Sequence, residues 1–275
     1  MARIRISPDL AAAVQFTGAG VRLPRLQRRG GKRRKQRIRR FAGEVTRDEV
    51  WFLRDATFSV APGESLAVVG HQGSGRDQVL RLAAGTLMPD ESTVERSLSL
   101  VPIIGLGGAL HGNYTVRQNI YLIGGLLGML PAEVEERLPA IVETAGVQKI
   151  LDKYLSNSSR LVRGRLLWSI AMATQSRAFA ISQALIVGQP AFQKECWDIV
   201  EAMKADGVTF LVTSEKPSQL LRFCDRAILL DGGQILADTS VEDAIERLKL
   251  IKPPKDQVHF VIDDGDNDED DPDLL

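Results

Sequence analysis

The fold is decided by the stretch Val68-Val69-Gly70-His71-Gln72-Gly73-Ser74-Gly75-Arg76-Asp77. Its glycines keep the spacing of a phosphate-binding loop, G-x-x-x-x-G-K-[ST], in which backbone N–H groups turn inward and cradle phosphates. Arg76 stands where the motif has lysine, and Asp77 stands where it has the serine or threonine that binds Mg²⁺. The sequence therefore predicts a phosphate loop whose two chemically active side chains have been replaced.

The residues on either side of the loop support this interpretation. Residues 65–69 form a short apolar run that predicts a strand, and residues 77–84 have helical spacing and end at Gly85. Strand, glycine loop and helix in that order is the context in which the motif is more than a chance match.

The rest of the chain alternates between strand and helix patterns, which favours an α/β fold with a mainly parallel sheet covered on both faces. The turn signal Asp231-Gly232-Gly233 predicts a final hairpin over residues 226–236. The predicted strands are 50–53 and 56–60, closed by a turn at Pro62-Gly63, and 98–104, 178–187 and 208–213. The predicted helices lie within 115–152 and at 160–175, 192–205 and from 218 onward.

Charge is distributed unevenly although the net charge is zero. Residues 22–40 contain eleven Lys or Arg and no acid, and residues 263–273 contain eight Asp or Glu and no base. Such blocks are typical of solvated arms. The basic block also suits contact with an anionic membrane surface. It lacks the interleaved aromatic residues on which the bases of single-stranded nucleic acid stack, so no nucleic acid is expected as a partner. The two blocks are opposite in charge, so pairing of one block with the other is also open.

These patterns divide the chain of 275 residues into three parts. Residues 1–45 are expected to be a basic arm, partly disordered and ordered only as an edge strand. Residues 46–250 form the domain, and residues 251–275 form an acidic disordered tail. Two cysteines and three scattered histidines predict neither a disulfide framework nor a histidine-based metal site. The longest apolar run, residues 120–130, is too short to span a bilayer, and no secretory signal is apparent.

Four blocks in order resemble the nucleotide-binding subunits of ABC transporters, and in particular those that export capsular polysaccharide, O-antigen or teichoic acid. The blocks are residues 47–58, 106–122, 192–196 (FQKEC) and 224–228 (CDRAI), and the resemblance covers about residues 47–240. It implies a P-loop ABC-type domain with an N-terminal antiparallel part and a helical subdomain at about 112–175. It also implies nucleotide binding by residues 70–77, with the ring of Trp51 stacked on adenine.

The same resemblance implies that most catalytic positions are replaced. Asp77 and Ser182 occupy the Mg²⁺ positions, and Gln183 occupies the position of the glutamate that faces the attacking water. Gln189 replaces the D-loop aspartate, Glu215 replaces the switch histidine, and Gly105 replaces the Q-loop residue. The signature motif falls on Ser159, Arg160, Leu161 and Val162. Charge-assisted hydrogen bonds contribute about 1.5–3 kcal/mol each. Losing two or three of them weakens binding by roughly 10²–10⁴-fold, so ATP and Mg²⁺ are expected to bind weakly or not at all.

The sequence therefore favours a pseudo-ATPase that acts as a structural or regulatory subunit in polysaccharide export. Two alternatives remain open at this stage. One is an active ATPase in which Asp77 binds Mg²⁺ and Gln183 positions water; the other is a transporter-independent adaptor that uses the charged arms. The resemblance implies an integral membrane permease as partner, a homodimer or a heterodimer with another ABC subunit, and a cytoplasmic position at the inner face of the bacterial cell membrane. The apolar helix over residues 119–130 is expected to face the permease.

Overall fold

The structure is a computed structural model that describes residues 3–6, 11–24, 49–104, 109–182 and 188–253. The strands are β1 (Arg3–Ile6), β2 (Val14–Pro24), β3 (Glu49–Val60), β4 (Ser65–Val69), β5 (Glu91–Arg96), β6 (Val101–Ile103), β7 (Ala178–Ser182), β8 (Thr209–Thr213), β9 (Arg226–Asp231) and β10 (Gln234–Ser240). The helices are α1 (Arg76–Ala84), α2 (Val116–Leu126), α3 (Pro131–Ala145), α4 (Arg160–Met172), α5 (Pro190–Ala205), α6 (Pro217–Phe223) and α7 (Val241–Leu250).

The central sheet has six strands in the order β10-β9-β4-β8-β7-β6. All neighbouring pairs are parallel except β9 and β10, which form the antiparallel hairpin predicted from Asp231-Gly232-Gly233. Apolar residues cover both faces of β4: Leu66 and Val68 pack with α1 and the second sheet, whereas Ala67 and Val69 pack with α4 to α7. The predicted α/β fold with a mainly parallel sheet is confirmed.

The second sheet, in the order β1-β5-β2-β3, corrects the prediction for the N-terminal segment. Residues 1–45 were expected to be a basic arm, poorly ordered at first and then an edge strand, but β2, within this range, lies between β5 and β3 and pairs with both. Phe16 is fully buried and stacks on Phe58 of β3 at a centroid distance of 4.4 Å. The folded core thus includes part of the segment assigned to the arm, because β2 buries its apolar side chains in the same core as α1.

The helices α2, α3 and α4 pack around a core of their own, within the range assigned to a helical subdomain. Thr115 and Gln118 form a capping box at the start of α2. Asn119, fully buried, fixes the preceding loop by accepting a hydrogen bond from His111 N at 2.7 Å and donating to three backbone carbonyls. This helical unit follows β6 and leads back into β7, so it is inserted between two neighbouring strands of the central sheet.

Candidate functional site

The glycine loop connects the carboxyl end of β4 to the amino end of α1, as predicted. Gly75 precedes α1 with a φ of 102°, which a residue with a side chain rarely adopts. A Cβ there would also overlap the carbonyl oxygen of Phe52 in β3. Because the first N–H groups of a helix have no partner inside the helix, this end of α1 is suited to bind an anion.

The elements around the loop hold it in place. The turn between β9 and β10 contacts it through the N–H of Gly233, which donates to Ser74 O at 3.1 Å. The end of α7 also reaches the loop, since His71 Nε2 lies 3.0 Å from the carbonyl oxygen of Ile251. The loop is therefore fixed by β3, by the final hairpin and by the last helix.

Arg76 turns back over the loop. It is buried, its Nη1 donates to Gly70 O at 3.0 Å, and its Nη2 lies 3.3 Å from Oε1 of Glu215. The Glu215 side chain is 61% exposed and follows the end of β8. Arg76 thus has a carboxylate partner supplied by the chain itself. The resemblance implies a lysine at the position of Arg76 and a histidine at the position of Glu215.

Asp77 and Ser182 also meet. Ser182, at the end of β7, donates from Oγ to Asp77 Oδ1 at 2.9 Å. The resemblance implies a hydroxyl at position 77 and a carboxylate at position 182, so the two residue types are exchanged. Mg²⁺ takes oxygen ligands such as these, so the donor set of Asp77 and Ser182 still fits this ion. A phosphate at Arg76 Nη2 would compete with the Glu215 carboxylate, which lies 3.3 Å from this nitrogen.

Two buried polar atoms at the loop have no hydrogen-bond partner among the described residues. They are Ser74 Oγ and Arg76 Nε. Ser74 Oγ lies so close over Gly70 that a Cβ on Gly70 would overlap it. Buried polar groups in proteins are normally paired, so these two atoms are candidate donors to a ligand of the loop.

The comparisons with known proteins agree with this geometry. The chain is 32% identical over 197 residues to the O-antigen export system ATP-binding protein RfbB of Klebsiella pneumoniae, and the match covers 72% of this chain and 80% of that protein. The chain belongs to the ATP-binding proteins of ABC transporters. No family model matches it.

Two other relatives of this ABC protein are longer. The ABC transporter protein AbcA of Aeromonas salmonicida is 34% identical over 67% of this chain and 60% of its own length. The teichoic acids export ATP-binding protein TagH of Bacillus anthracis is 29% identical over 70% of this chain, which corresponds to 35% of that protein. The ABC chain therefore matches less than two thirds of the length of these two relatives.

Solved structures show the same fold. An ATP-binding subunit of an ABC transporter superposes with a TM-score of 0.64 and 17% identity over 90% of this chain and 97% of that one. The ATP-binding cassette MJ0796, solved with ADP and Pi, superposes with a TM-score of 0.65 and 14% identity over 83% of this chain and 98% of that one. The predicted ABC-type fold is confirmed.

Trp51 lies in β3, and its ring contacts two arginines. The guanidinium groups of Arg22 and Arg54 lie 5.0 and 5.2 Å from the centroid of its ring. The ring also covers Gly20, where a Cβ would lie 2.9 Å from it. Stacking of Trp51 on adenine stays a prediction, and the recorded contacts of the ring are with β2 and β3.

The signature positions begin α4 of the ABC chain. Ser159 is the cap of this helix and accepts a hydrogen bond from Val162 N at 3.4 Å. Arg160 and Leu161 are exposed in the first turn. Their predicted role toward a second subunit stays a prediction. Gln183 and Gly105, which the resemblance placed in the catalytic site, lie outside the described residues.

Sequence reasoning missed three contributors to this ABC site. The pairing of Glu215 with Arg76 was not predicted, nor was the contact of His71 with Ile251. Thr213 was also missed; it is paired with Ser182 across β7 and β8, and its buried Oγ1 has no partner among the described residues. Thr213 could have been found, because it is a polar residue at the carboxyl end of a buried parallel strand, where ligands of open α/β sheets bind.

Proposed function

We propose that this chain is the ABC subunit of an exporter for a cell-surface polysaccharide, and that it acts as a structural or regulatory subunit without turning over ATP. The export assignment is supported by the relatives whose names refer to O-antigen and teichoic acid export. The absence of turnover is supported by the site of this chain, not by the relatives.

The ion pair between Arg76 and Glu215 carries the second half of the proposal. Phosphoryl transfer depends on positioning and on electrostatic stabilisation of the charge that develops on the transferred group. Here the buried cation of the loop already has a carboxylate partner, and Asp77 adds a second carboxylate next to it along the chain. A carboxylate paired with this cation weakens its ability to stabilise the negative charge that develops in the reaction.

The partners are proposed from exposed apolar side chains and from the family. Leu126 at the end of α2 and Leu130 just beyond it are 61% and 66% exposed. They suit a contact with an integral membrane permease. The proposal includes a position at the inner face of the bacterial cell membrane and a homodimer or a heterodimer with another ABC subunit. Among the described residues, none of the helices combines the length and the apolar character needed to cross a bilayer. The proposed membrane contact of residues 22–40 falls mostly outside the described residues.

The permease contact is tested by co-purification. The chain is expressed with its permease, and the variant Leu126→Asp, Leu130→Asp is compared with Leu250→Asp, which alters an exposed leucine at the end of α7. We expect the double variant to lose the permease and the Leu250 variant to retain it. Equal retention by both variants would contradict the proposed contact surface.

Turnover is tested on the purified complex with the permease. We expect no hydrolysis of ATP above that of the permease alone. Hydrolysis that disappears in Arg76→Ala would establish the second candidate, a working ATPase with exchanged ligands. One observation favours this candidate: Asp77 and Ser182 keep a carboxylate and a hydroxyl 2.9 Å apart.

A further inference from the structure

The carboxylate of Glu215 bears on which ligand the loop accepts. Resting on the proposed function, in which this chain is an ABC subunit that does not turn over ATP, we propose that Glu215 holds the place of a terminal phosphate on Arg76. The loop then takes a nucleoside diphosphate in preference to a triphosphate.

A phosphate site is present in the loop itself. The amino end of α1, a helix of nine residues, supplies backbone N–H groups, and Gly75 provides the left-handed turn into this helix. Ser74 is 2% exposed and Arg76 is 6% exposed, yet Ser74 Oγ and Arg76 Nε have no partner in the described part of the chain. Both atoms can donate a hydrogen bond. These donors do not depend on the position of Glu215.

Both terminal nitrogens of Arg76 already have a partner in the chain. Nη1 donates to Gly70 O at 3.0 Å, which closes the loop on itself, and Nη2 pairs with Glu215 Oε1 at 3.3 Å. A phosphate group that reached Nη2 would lie beside the Glu215 carboxylate at the end of β8 and would compete with it for this nitrogen. A shorter phosphate chain avoids this competition.

Charge acts in the same direction. Arg76 is paired with the Glu215 carboxylate, and Asp77 adds a further acidic residue to the first turn of α1. Each further phosphate adds negative charge near a carboxylate that already offsets the arginine. Loss of one charge-assisted hydrogen bond corresponds to about a ten-fold change in affinity. We therefore expect ADP to bind at least about ten-fold more tightly than ATP when no metal offsets the added charge.

The experiment is titration calorimetry of the purified full chain with ADP and with ATP in the presence of EDTA. In Glu215→Gln the side chain keeps its size and loses its charge, so we expect ATP affinity to rise about ten-fold and the preference for ADP to fall to about one. The matched control is Glu201→Gln, which removes a carboxylate paired with Arg222 at 2.6 Å between α5 and α6. The control should keep the preference of the wild-type chain.

Three results would overturn the proposal: equal affinity of the wild-type chain for ADP and ATP, a preference that Glu215→Gln leaves unchanged, and no binding of either nucleotide to either protein. Circular dichroism verifies that Glu215→Gln is folded, which is expected because the side chain is mostly exposed. Failure of the proposed function appears instead as ATP hydrolysis or as loss of the permease, so the two failures are distinguishable.

Discussion

Ser182 at the end of β7 donates a hydrogen bond to Asp77 in the first turn of α1 over 2.9 Å, although the two residues are 105 positions apart in the sequence. The exchange of hydroxyl and carboxylate between these positions leaves both side chains satisfied. An acidic residue in the first turn of a helix is also favoured by the helix dipole. The two substitutions therefore compensate for each other and are expected to be energetically coupled.

A double-mutant cycle measures this coupling. We expect Asp77→Ala and Ser182→Ala to show an interaction energy of about 1 kcal/mol in urea unfolding, because each variant removes the same partly buried, charge-assisted hydrogen bond. The control cycle uses Lys194 and Asp198, an exposed pair one helical turn apart at 3.0 Å, for which we expect less than about 0.5 kcal/mol. Strict additivity of the Asp77 and Ser182 variants would mean that the pair does not form in solution.

Gly75 is expected to be far less tolerant of a side chain than Gly232. Gly75→Ala combines a φ of 102° with overlap of the Phe52 carbonyl oxygen, so the loop or β3 must move. Gly232 has a φ of 53° and open space around it, so only the conformational cost of about 1–2 kcal/mol applies to Gly232→Ala. Urea unfolding of both variants should place Gly75→Ala clearly below Gly232→Ala in stability. The reverse order would contradict the packing of the loop against β3.

The thiol of Cys224 is expected to be unreactive in the folded protein. Burial raises the pKa of Cys224 to about 12, and the nearby Lys204 ammonium only partly offsets this rise. An exposed thiol has a pKa of about 8.5, so at pH 8 the thiolate population is lower in the folded state by about 10³-fold. In a Cys196→Ala background, labelling of Cys224 by a disulfide reagent at pH 8 should follow the rate of unfolding. Labelling as fast as that of a free thiol would place Cys224 at the surface.

The same shift gives a pH dependence of stability. Above about pH 8.5 the unfolded chain loses the Cys224 proton while the folded chain keeps it, up to a pKa of about 12. The unfolded state then binds fewer protons, and the free energy of unfolding falls as pH rises. Between pH 8 and pH 10 the free energy of unfolding, measured with urea, should therefore fall less in Cys224→Ala than in the wild-type chain. An identical slope for both proteins would contradict the burial of this thiol.

The central sheet could be predicted from the sequence because its signals are local. Asp231-Gly232-Gly233 provides the turn between β9 and β10, and the glycine loop directly follows the apolar residues of β4. The strand β2 has a comparable signal, since Val14 and Phe16 alternate with polar residues. The register shift that follows Phe16 interrupts this alternation, and the neighbouring block of basic residues hid it.

The candidate site was predictable only in part. The spacing of Gly70 and Gly75 predicted the loop, but the partners of its side chains depend on the tertiary fold. Arg76 and Glu215 are 139 residues apart and meet because β4 and β8 are neighbours in the sheet. The sequence identified Arg76 and Glu215 as two separate replacements, of a lysine and of a histidine, and gave no sign that they are in contact. Their contact shows that the residues replacing the lysine and the histidine form an ion pair with each other.

The contribution of β2 to the fold is tested by Phe16→Ala. Phe16 is fully buried and stacks on Phe58, so its truncation should cost about 3–5 kcal/mol in free energy of unfolding. The control Tyr154→Ala alters an aromatic side chain that is 59% exposed, and it should change stability by less than about 0.5 kcal/mol. If residues 1–45 were only a mobile arm, both variants would be equally mild. A large cost for Phe16→Ala alone would place β2 in the folding unit together with the glycine loop, since β3 joins the two by packing against Phe16 and against Gly75.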